Sequence, residues 1–92
     1  MNSNSAIIYV VDDDVSVCRA LALLLKSHGF KVETFTRAAS FLAFKHPMAP
    51  SCLILDIRLP NINGFALQEA MTRRGIATPI IFITGYGDIP MS

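Results

Sequence analysis

The strongest constraint on the fold of this chain is a set of short apolar runs that each end in an acidic or hydroxyl residue. These runs span residues 7–11, 52–55 and 79–83. A strand that is apolar along its whole length is typical of a parallel sheet covered on both faces. Because helical patterns separate the runs, the chain is predicted to form an α/β fold built from β-α-β units.

The segment after the first run has the spacing of an amphipathic helix. The residues that recur there at helical spacing are Val17, Leu21, Leu24, Leu25 and His28. Asp14 is predicted to cap the start of this helix, and Gly29 is predicted to end it in a left-handed conformation.

The remaining elements continue the alternation of strands and helices. Residues 31–35 alternate between polar and apolar and predict a half-exposed edge strand, and residues 37–44 predict a short helix. A third helix is predicted over residues 65–74, ended by Gly75, before a buried fourth strand. The inner face of the third helix is predicted to carry Leu67, Ala70 and Met71.

Composition excludes several classes of protein. The 92 residues carry 8 basic and 7 acidic side chains, a net charge of +1, which predicts one domain without a basic surface for nucleic acid. No apolar run approaches the roughly 18 residues of a membrane-spanning helix, and residues 1–5 lack the positive charge of an export signal. We therefore expect a cytoplasmic protein without membrane contact, in which Cys18 and Cys52 are reduced and buried.

The polar residues that end the strands are the main functional signal. In a parallel sheet the carboxyl ends of the strands share one edge, so Asp12, Asp13, Asp56 and Thr84 are expected to converge there. Carboxylates crowded in a cleft repel one another unless they are protonated or neutralised by a cation. Oxygen ligands without histidine or cysteine favour Mg²⁺. Asp14 taken alone is better explained as a helix cap.

Such a site suits phosphoryl transfer to a carboxylate. An aspartate can attack a phosphoryl group and form an acyl phosphate when a metal ion offsets the repulsion between the two anions. The hydroxyl of Thr84 would then donate a hydrogen bond to the phosphate.

Three segments resemble the receiver domain of two-component response regulators. They are VVDDD after the first strand, LILDIRLPNINGF after the third strand and IIFITGYGDIP after the fourth strand. The D-x-x-x-P-x-x-x-G pattern at Asp56, Pro60 and Gly64 is the most specific of them. The ending TGYGDIPMS is most similar to the LuxR/FixJ-type subgroup, whose receivers precede a DNA-binding domain.

The resemblance implies a fold and a set of residue roles. The fold is a flavodoxin-like, doubly wound parallel sheet of strand order 2-1-3-4-5. Asp56 would be the phosphoacceptor and Thr84 the switch hydroxyl. The implied magnesium ligands are Asp13, its acidic neighbour Asp12, Asp56 and the backbone carbonyl of Arg58.

The resemblance also implies partners and a mode of output. The phosphoryl donor would be a histidine kinase, and the receiver would catalyse its own phosphorylation rather than act as a conventional enzyme. Phosphorylation would switch dimerisation of a transcriptional regulator, with Tyr86 and Ile89 on the switch surface. DNA would be bound only by an output domain outside this chain.

The sequence differs from that of a complete receiver domain on its C-terminal side. We expect residues 1–92 to form an incomplete receiver domain that lacks a fourth helix, a fifth strand with its phosphate-binding lysine and a fifth helix. Lys26, Lys31 and Lys45 are not placed to replace that lysine. The fourth strand would then be an unpaired apolar edge, which predicts a homodimer formed by edge pairing or by a swapped element.

Two other interpretations stay open at the level of sequence. In a phosphatase resembling the haloacid-dehalogenase superfamily, Asp12 would be the nucleophile and Asp14 the acid or base. That interpretation leaves the loop after Asp56 unexplained. In a pseudo-receiver the chain would only bind partners, and it would not bind magnesium.

Overall fold

A single parallel sheet organises the computed structural model, which describes residues 6–44, 46, 49–56 and 64–83. Its strands are β1 (Ile7–Val11), β2 (Lys31–Phe35), β3 (Ser51–Asp56) and β4 (Ile80–Ile83). All pairings are parallel and the strand order is β2-β1-β3-β4. The predicted α/β class and the first four positions of the order 2-1-3-4-5 are confirmed.

Three helices connect the strands and cover both faces of the sheet. They are α1 (Val15–Ser27), α2 (Ala38–Ala43) and α3 (Gly64–Arg73). These bounds confirm the three helices expected from the sequence. None of the helices in the described part of the chain is long and apolar enough to cross a membrane.

The face covered by α2 and α3 holds the larger core. Tyr9, Leu53 and Leu55 project from the two central strands and are almost completely buried there, together with Phe41 of α2 and Leu67 of α3. Tyr9 and four other rings form an aromatic cluster with centroid distances from 4.7 to 6.4 Å. The ring pairs pack edge to face except Tyr9 and Phe35, which are tilted at 33°. The rings belong to Tyr9, Phe35, Phe41, Phe44 and His46. This packing fixes α2 against β1 and β2.

The face covered by α1 holds a smaller core. Ile8, Val10 and Cys18 are buried there, with Leu21 and Leu25 packed against them. The sequence also placed Leu24 and His28 at the helical spacing of this face, but Leu24 is 55% exposed and His28 is exposed. The reason is geometric, because a helix lying on a sheet buries a narrow stripe, here at positions 18, 21 and 25.

Local signals end the helices where the sequence predicts. The Asp14 carboxylate accepts hydrogen bonds from the backbone N–H groups of Ser16 and Val17 at 2.8 and 3.4 Å. Gly29 follows α1 with a φ of 92°, and Gly75 follows α3 with a φ of 75°, a region that favours glycine.

The outer strands differ from the central ones in exposure. The prediction that β2 is a half-exposed edge strand is confirmed. The prediction that the fourth strand is buried is wrong, because Ile81 is 49% exposed and Phe82 is 47% exposed. Within the described residues β4 pairs with β3 alone, so one side of it lacks a neighbour. Both cysteines are free thiols as expected, although Cys52 is only half-buried.

Replacing the N-cap residue should destabilise the protein by a measurable amount. We expect Asp14→Ala to lower the free energy of unfolding by about 1 kcal/mol, because two N–H groups at the start of α1 lose their acceptor. Asp14→Ser keeps an acceptor and should stay close to the wild type. Urea unfolding followed by far-UV circular dichroism measures both variants. Equal losses in the two variants would contradict a capping role.

Candidate functional site

The carboxyl ends of β1 and β3 bring three acidic residues together. Val11 and Leu55 are register partners in the two adjacent parallel strands, so the residues that follow Val11 lie beside Asp56. One carboxylate oxygen each from Asp12, Asp13 and Asp56 lies within 4.8 Å of the others. The predicted convergence of these three side chains is therefore present in the structure. We refer to Asp12, Asp13 and Asp56 as the acidic cluster.

Asp12 is the buried member of the acidic cluster, with only 3% of its surface exposed. Its backbone N–H donates to the carbonyl of Phe35 at 3.0 Å, and its Oδ1 accepts from the N–H of Asp14 at 2.9 Å. Burial raises the pKa of the Asp12 carboxyl, and the charges of Asp56, Asp13 and Asp14 raise it further, against a lowering effect of the Asp14 hydrogen bond. The ionised form of Asp12 is thus costly without a cation nearby.

The other two members of the acidic cluster are more accessible. Asp13 is exposed and Asp56 is half-buried at the last position of β3. Solvent exposure therefore increases across the acidic cluster, from the buried Asp12 through Asp56 to the exposed Asp13. That arrangement leaves room on the open side for water or for a phosphate ligand.

The donor set of the acidic cluster fits a magnesium ion. All three donors are carboxylate oxygens, and the described part of the chain adds no histidine or cysteine to the group. In octahedral Mg²⁺ coordination, opposite oxygens lie about 4.2 Å apart. The 4.8 Å limit of the cluster is slightly larger than this span. Neighbouring oxygens around an octahedral Mg²⁺ lie about 3 Å apart, so binding would require the carboxylates to rotate closer together or one of them to bind through a water molecule.

Asp14 lies beside the acidic cluster without joining it. Its Oδ1 accepts the two N–H groups at the start of α1, which confirms the expectation that Asp14 is a helix cap. The hydrolase interpretation requires Asp14 as an acid or base next to Asp12. In the structure the Asp14 carboxylate instead accepts hydrogen bonds from the N–H groups of the first turn of α1.

Other residues singled out from the sequence lie elsewhere. Arg58, Thr84, Tyr86 and Ile89 fall outside the described residues, as does Lys45. Their predicted roles stay predictions. Lys26 is in the last turn of α1 and Lys31 begins β2, so both lie toward the amino edge of the sheet, as expected.

A cavity of about 730 Å³ also lies at the amino edge of the sheet. Ser51, Thr78 and Arg74 are among its lining residues, and the hydroxyls of Ser51 and Thr78 are 3.0 Å apart. Five residue steps along β3 separate Ser51 from Asp56, a distance of about 17 Å. The cavity is therefore remote from the acidic cluster and takes no part in its chemistry.

One neighbour of the acidic cluster was not recognised from the sequence. The thiol of Cys18 donates to the backbone carbonyl of Asp12, with Sγ 3.3 Å from the oxygen. Burial and the charge of Asp12 raise the pKa of Cys18, so the sulfur keeps its proton at neutral pH. The sequence predicted that Cys18 is reduced and buried, but a thiol-to-carbonyl contact across six residues depends on how α1 crosses β1.

Comparison with known proteins points to one family. The response regulator receiver domain family matches residues 8–92. The response regulator protein TmoT of Ectopseudomonas mendocina is 45% identical over 92 residues, which are 100% of this chain and 42% of TmoT. This chain thus spans about two fifths of the length of that relative.

Solved structures agree in fold. The response regulator StyR superposes with a TM-score of 0.78 at 48% identity, covering 96% of this chain and 44% of StyR. The FixJ-N structure superposes with a TM-score of 0.76 at 36% identity, covering 94% of this chain and 69% of that one. The similarity to FixJ supports the subgroup suggested by the sequence.

Removing one charge from the acidic cluster should stabilise the metal-free protein. We expect Asp12→Asn to raise the free energy of unfolding by about 1 kcal/mol at neutral pH, because burial and repulsion of the Asp12 charge are relieved. Asparagine keeps the oxygen that accepts the Asp14 N–H. Urea unfolding in the presence of a chelator measures the change.

The gain from Asp12→Asn should depend on pH in a defined direction. Because the pKa of Asp12 is raised in the folded protein, the stability cost of its ionisation accumulates as the pH rises from the ordinary aspartate pKa to the raised one and is complete above it. The difference between variant and wild type should vanish in acid, where Asp12 is protonated in both the folded and the unfolded state. Glu69→Gln, which removes the charge of an exposed residue of α3, is the matched control. A constant difference at all pH values would contradict the electrostatic explanation.

Proposed function

Because the chain belongs to the response regulator receiver family, we propose that its acidic cluster holds Mg²⁺ and that Asp56 accepts a phosphoryl group from a histidine kinase in the cytoplasm. The observation that carries this proposal is the set of three carboxylate oxygens within 4.8 Å at the carboxyl edge of the sheet. Crowded anions of this kind disfavour the ionised state of Asp12 and favour a divalent cation.

Asp56 is the best placed of the three carboxylates to be the nucleophile. It ends the central strand β3 and is half-buried, whereas Asp12 is almost completely buried. In the proposed transfer, a carboxylate oxygen of Asp56 attacks the phosphorus of a phosphohistidine. The new P–O bond forms as the P–N bond breaks, and the donor imidazole leaves with the electron pair.

The metal and its neighbours would assist in separate ways. Mg²⁺ bound by Asp13, Asp12 and Asp56 would offset the repulsion between the carboxylate and the phosphoryl oxygens. The resemblance adds the backbone carbonyl of Arg58 as a further ligand. It also adds the hydroxyl of Thr84, which directly follows Ile83, the register partner of Asp56.

The proposed output is a change in dimerisation of a longer regulator. TmoT is named a response regulator protein, and the similar TdiR of Thauera aromatica a transcriptional regulatory protein. We assign DNA binding to an output domain outside this chain, and the switch surface to Tyr86 and Ile89.

We also propose that the 92-residue chain forms a homodimer through β4. This strand has no charged side chain, and Ile81 and Phe82 are each about half-exposed. Among the residues that the structure describes, β4 pairs only with β3, and an apolar strand with such an open side favours pairing with another strand. A swapped element is the alternative way to cover the same strand.

Phosphorylation by a small phosphodonor tests the proposed acceptor. Incubation with acetyl phosphate and Mg²⁺ should give one phosphoryl adduct, and borohydride reduction followed by mass spectrometry should place it at Asp56. Asp56→Asn should abolish the adduct, and the matched control Asp14→Asn should retain it. An adduct at Asp12 would favour the hydrolase interpretation. A folded protein with no adduct would contradict the acceptor role.

Light scattering tests the proposed dimer. We expect the wild type to show a concentration-dependent mass above that of one chain, and Ile81→Lys to shift the equilibrium toward the monomer by at least tenfold, because a charge on β4 opposes its burial. Leu23→Lys replaces an exposed apolar residue of α1 and should leave the equilibrium unchanged. A monomeric wild type would contradict the proposed dimer, and the proposal that Asp56 is the phosphoacceptor would stand unchanged.

A further inference from the structure

Cys18 is the buried thiol that lies closest to the acidic cluster in the described part of the chain. It is in the first turns of α1, is 4% exposed and packs against Ile8 and Val10. Its Sγ lies 3.3 Å from the backbone carbonyl oxygen of Asp12 and 3.9 Å from that of Phe35. The sulfur therefore occupies the junction where β1, β2 and α1 meet.

The contact with Cys18 completes the hydrogen bonding of the Asp12 backbone. The Asp12 N–H donates to Phe35, the Asp12 carbonyl accepts from Cys18, and the Asp12 Oδ1 accepts from the Asp14 N–H. Buried polar groups of the backbone are costly when they lack a partner. Asp12 is thus held at three of its polar groups.

Holding the Asp12 carbonyl also constrains Asp13. The carbonyl of Asp12 and the N–H of Asp13 belong to one planar peptide group. Rotation of that plane would turn the chain at Asp13 and change the direction in which its exposed side chain leaves β1. The thiol of Cys18 opposes this rotation because it would lose its acceptor.

We propose that Cys18 is a positioning residue for the acidic cluster: by donating to the Asp12 carbonyl, its thiol holds the peptide between Asp12 and Asp13 so that the Asp13 carboxylate stays within cation-binding distance of Asp56. This inference rests on the proposed function, since it concerns the affinity of the acidic cluster for Mg²⁺. Cys18 itself contacts neither the metal nor the phosphoryl group.

A purely structural role for Cys18 predicts a different outcome. If the side chain only fills space against Ile8 and Val10, any smaller residue should lower stability without a specific effect on metal binding. If the thiol acts as a donor, a hydroxyl at the same position should restore metal binding and a methyl group should not. Serine and alanine therefore separate the two roles.

Cys52 offers a matched control in the same chain. It is the register partner of Ile8 and packs on the same face of the sheet. Four residue steps along β3, about 13 Å, separate it from Asp56. A change at Cys52 perturbs the same core without touching the Asp12 carbonyl.

Calorimetric titration of the 92-residue chain with Mg²⁺ tests the inference. We expect Cys18→Ala to weaken the Kd for Mg²⁺ by about threefold or more, the effect of losing one hydrogen bond. Cys18→Ser should bind within about twofold of the wild type, and Cys52→Ala should bind as the wild type does. Urea unfolding with a chelator, run in parallel, reports the stability loss that both alanine variants share. Cys18→Thr, which also carries a hydroxyl donor, replaces Cys18→Ser if that variant does not fold.

Two sets of results would overturn the inference. Unchanged binding in Cys18→Ala, or equal weakening in the alanine and hydroxyl variants, would show that the thiol acts only by packing. Asp13→Asn separates this failure from failure of the metal site. If the wild type binds Mg²⁺ and Asp13→Asn does not, the proposed metal site stands whatever Cys18 does. If the two bind equally, the metal site falls and the role of Cys18 falls with it.

Discussion

Repulsion among three carboxylates at the ends of β1 and β3 is the constraint on which the site depends. The parallel register places Asp12 and Asp13 beside Asp56, and their oxygens lie within 4.8 Å of one another. Burial of Asp12 raises the free-energy cost of its charge, which appears as a raised pKa. The fold holds this arrangement through the two apolar cores that fix the central strands.

The two cores lie on opposite faces of the sheet, and each core holds different helices against the central strands. The aromatic cluster around Tyr9 fixes α2 on one face, and Leu67 anchors α3 beside it. On the other face α1 crosses β1 and places Cys18 under the Asp12 carbonyl. The buried side of the acidic cluster is therefore built from backbone contacts, whereas its open side presents Asp13 to solvent.

The strand ends were readable from the sequence because their signals are local. Apolar runs that stop at an aspartate predict buried parallel strands, and Gly29 and Gly75 end helices because their backbone takes a positive φ. The exposure of Leu24 and of the fourth strand could not be predicted from the sequence in the same way. Exposure depends on which neighbour covers a residue, and helical spacing alone does not supply that neighbour.

The amino-acid order alone determined the α/β class, the approximate bounds of the helices and which acidic residues lie at the strand ends. These depend on short-range propensity and periodicity, which a local pattern encodes. The tertiary structure decided which carboxylate is buried and that the Cys18 thiol reaches the Asp12 carbonyl. Each of these depends on how α1 lies across the sheet, because distances between elements arise only when their side chains pack together.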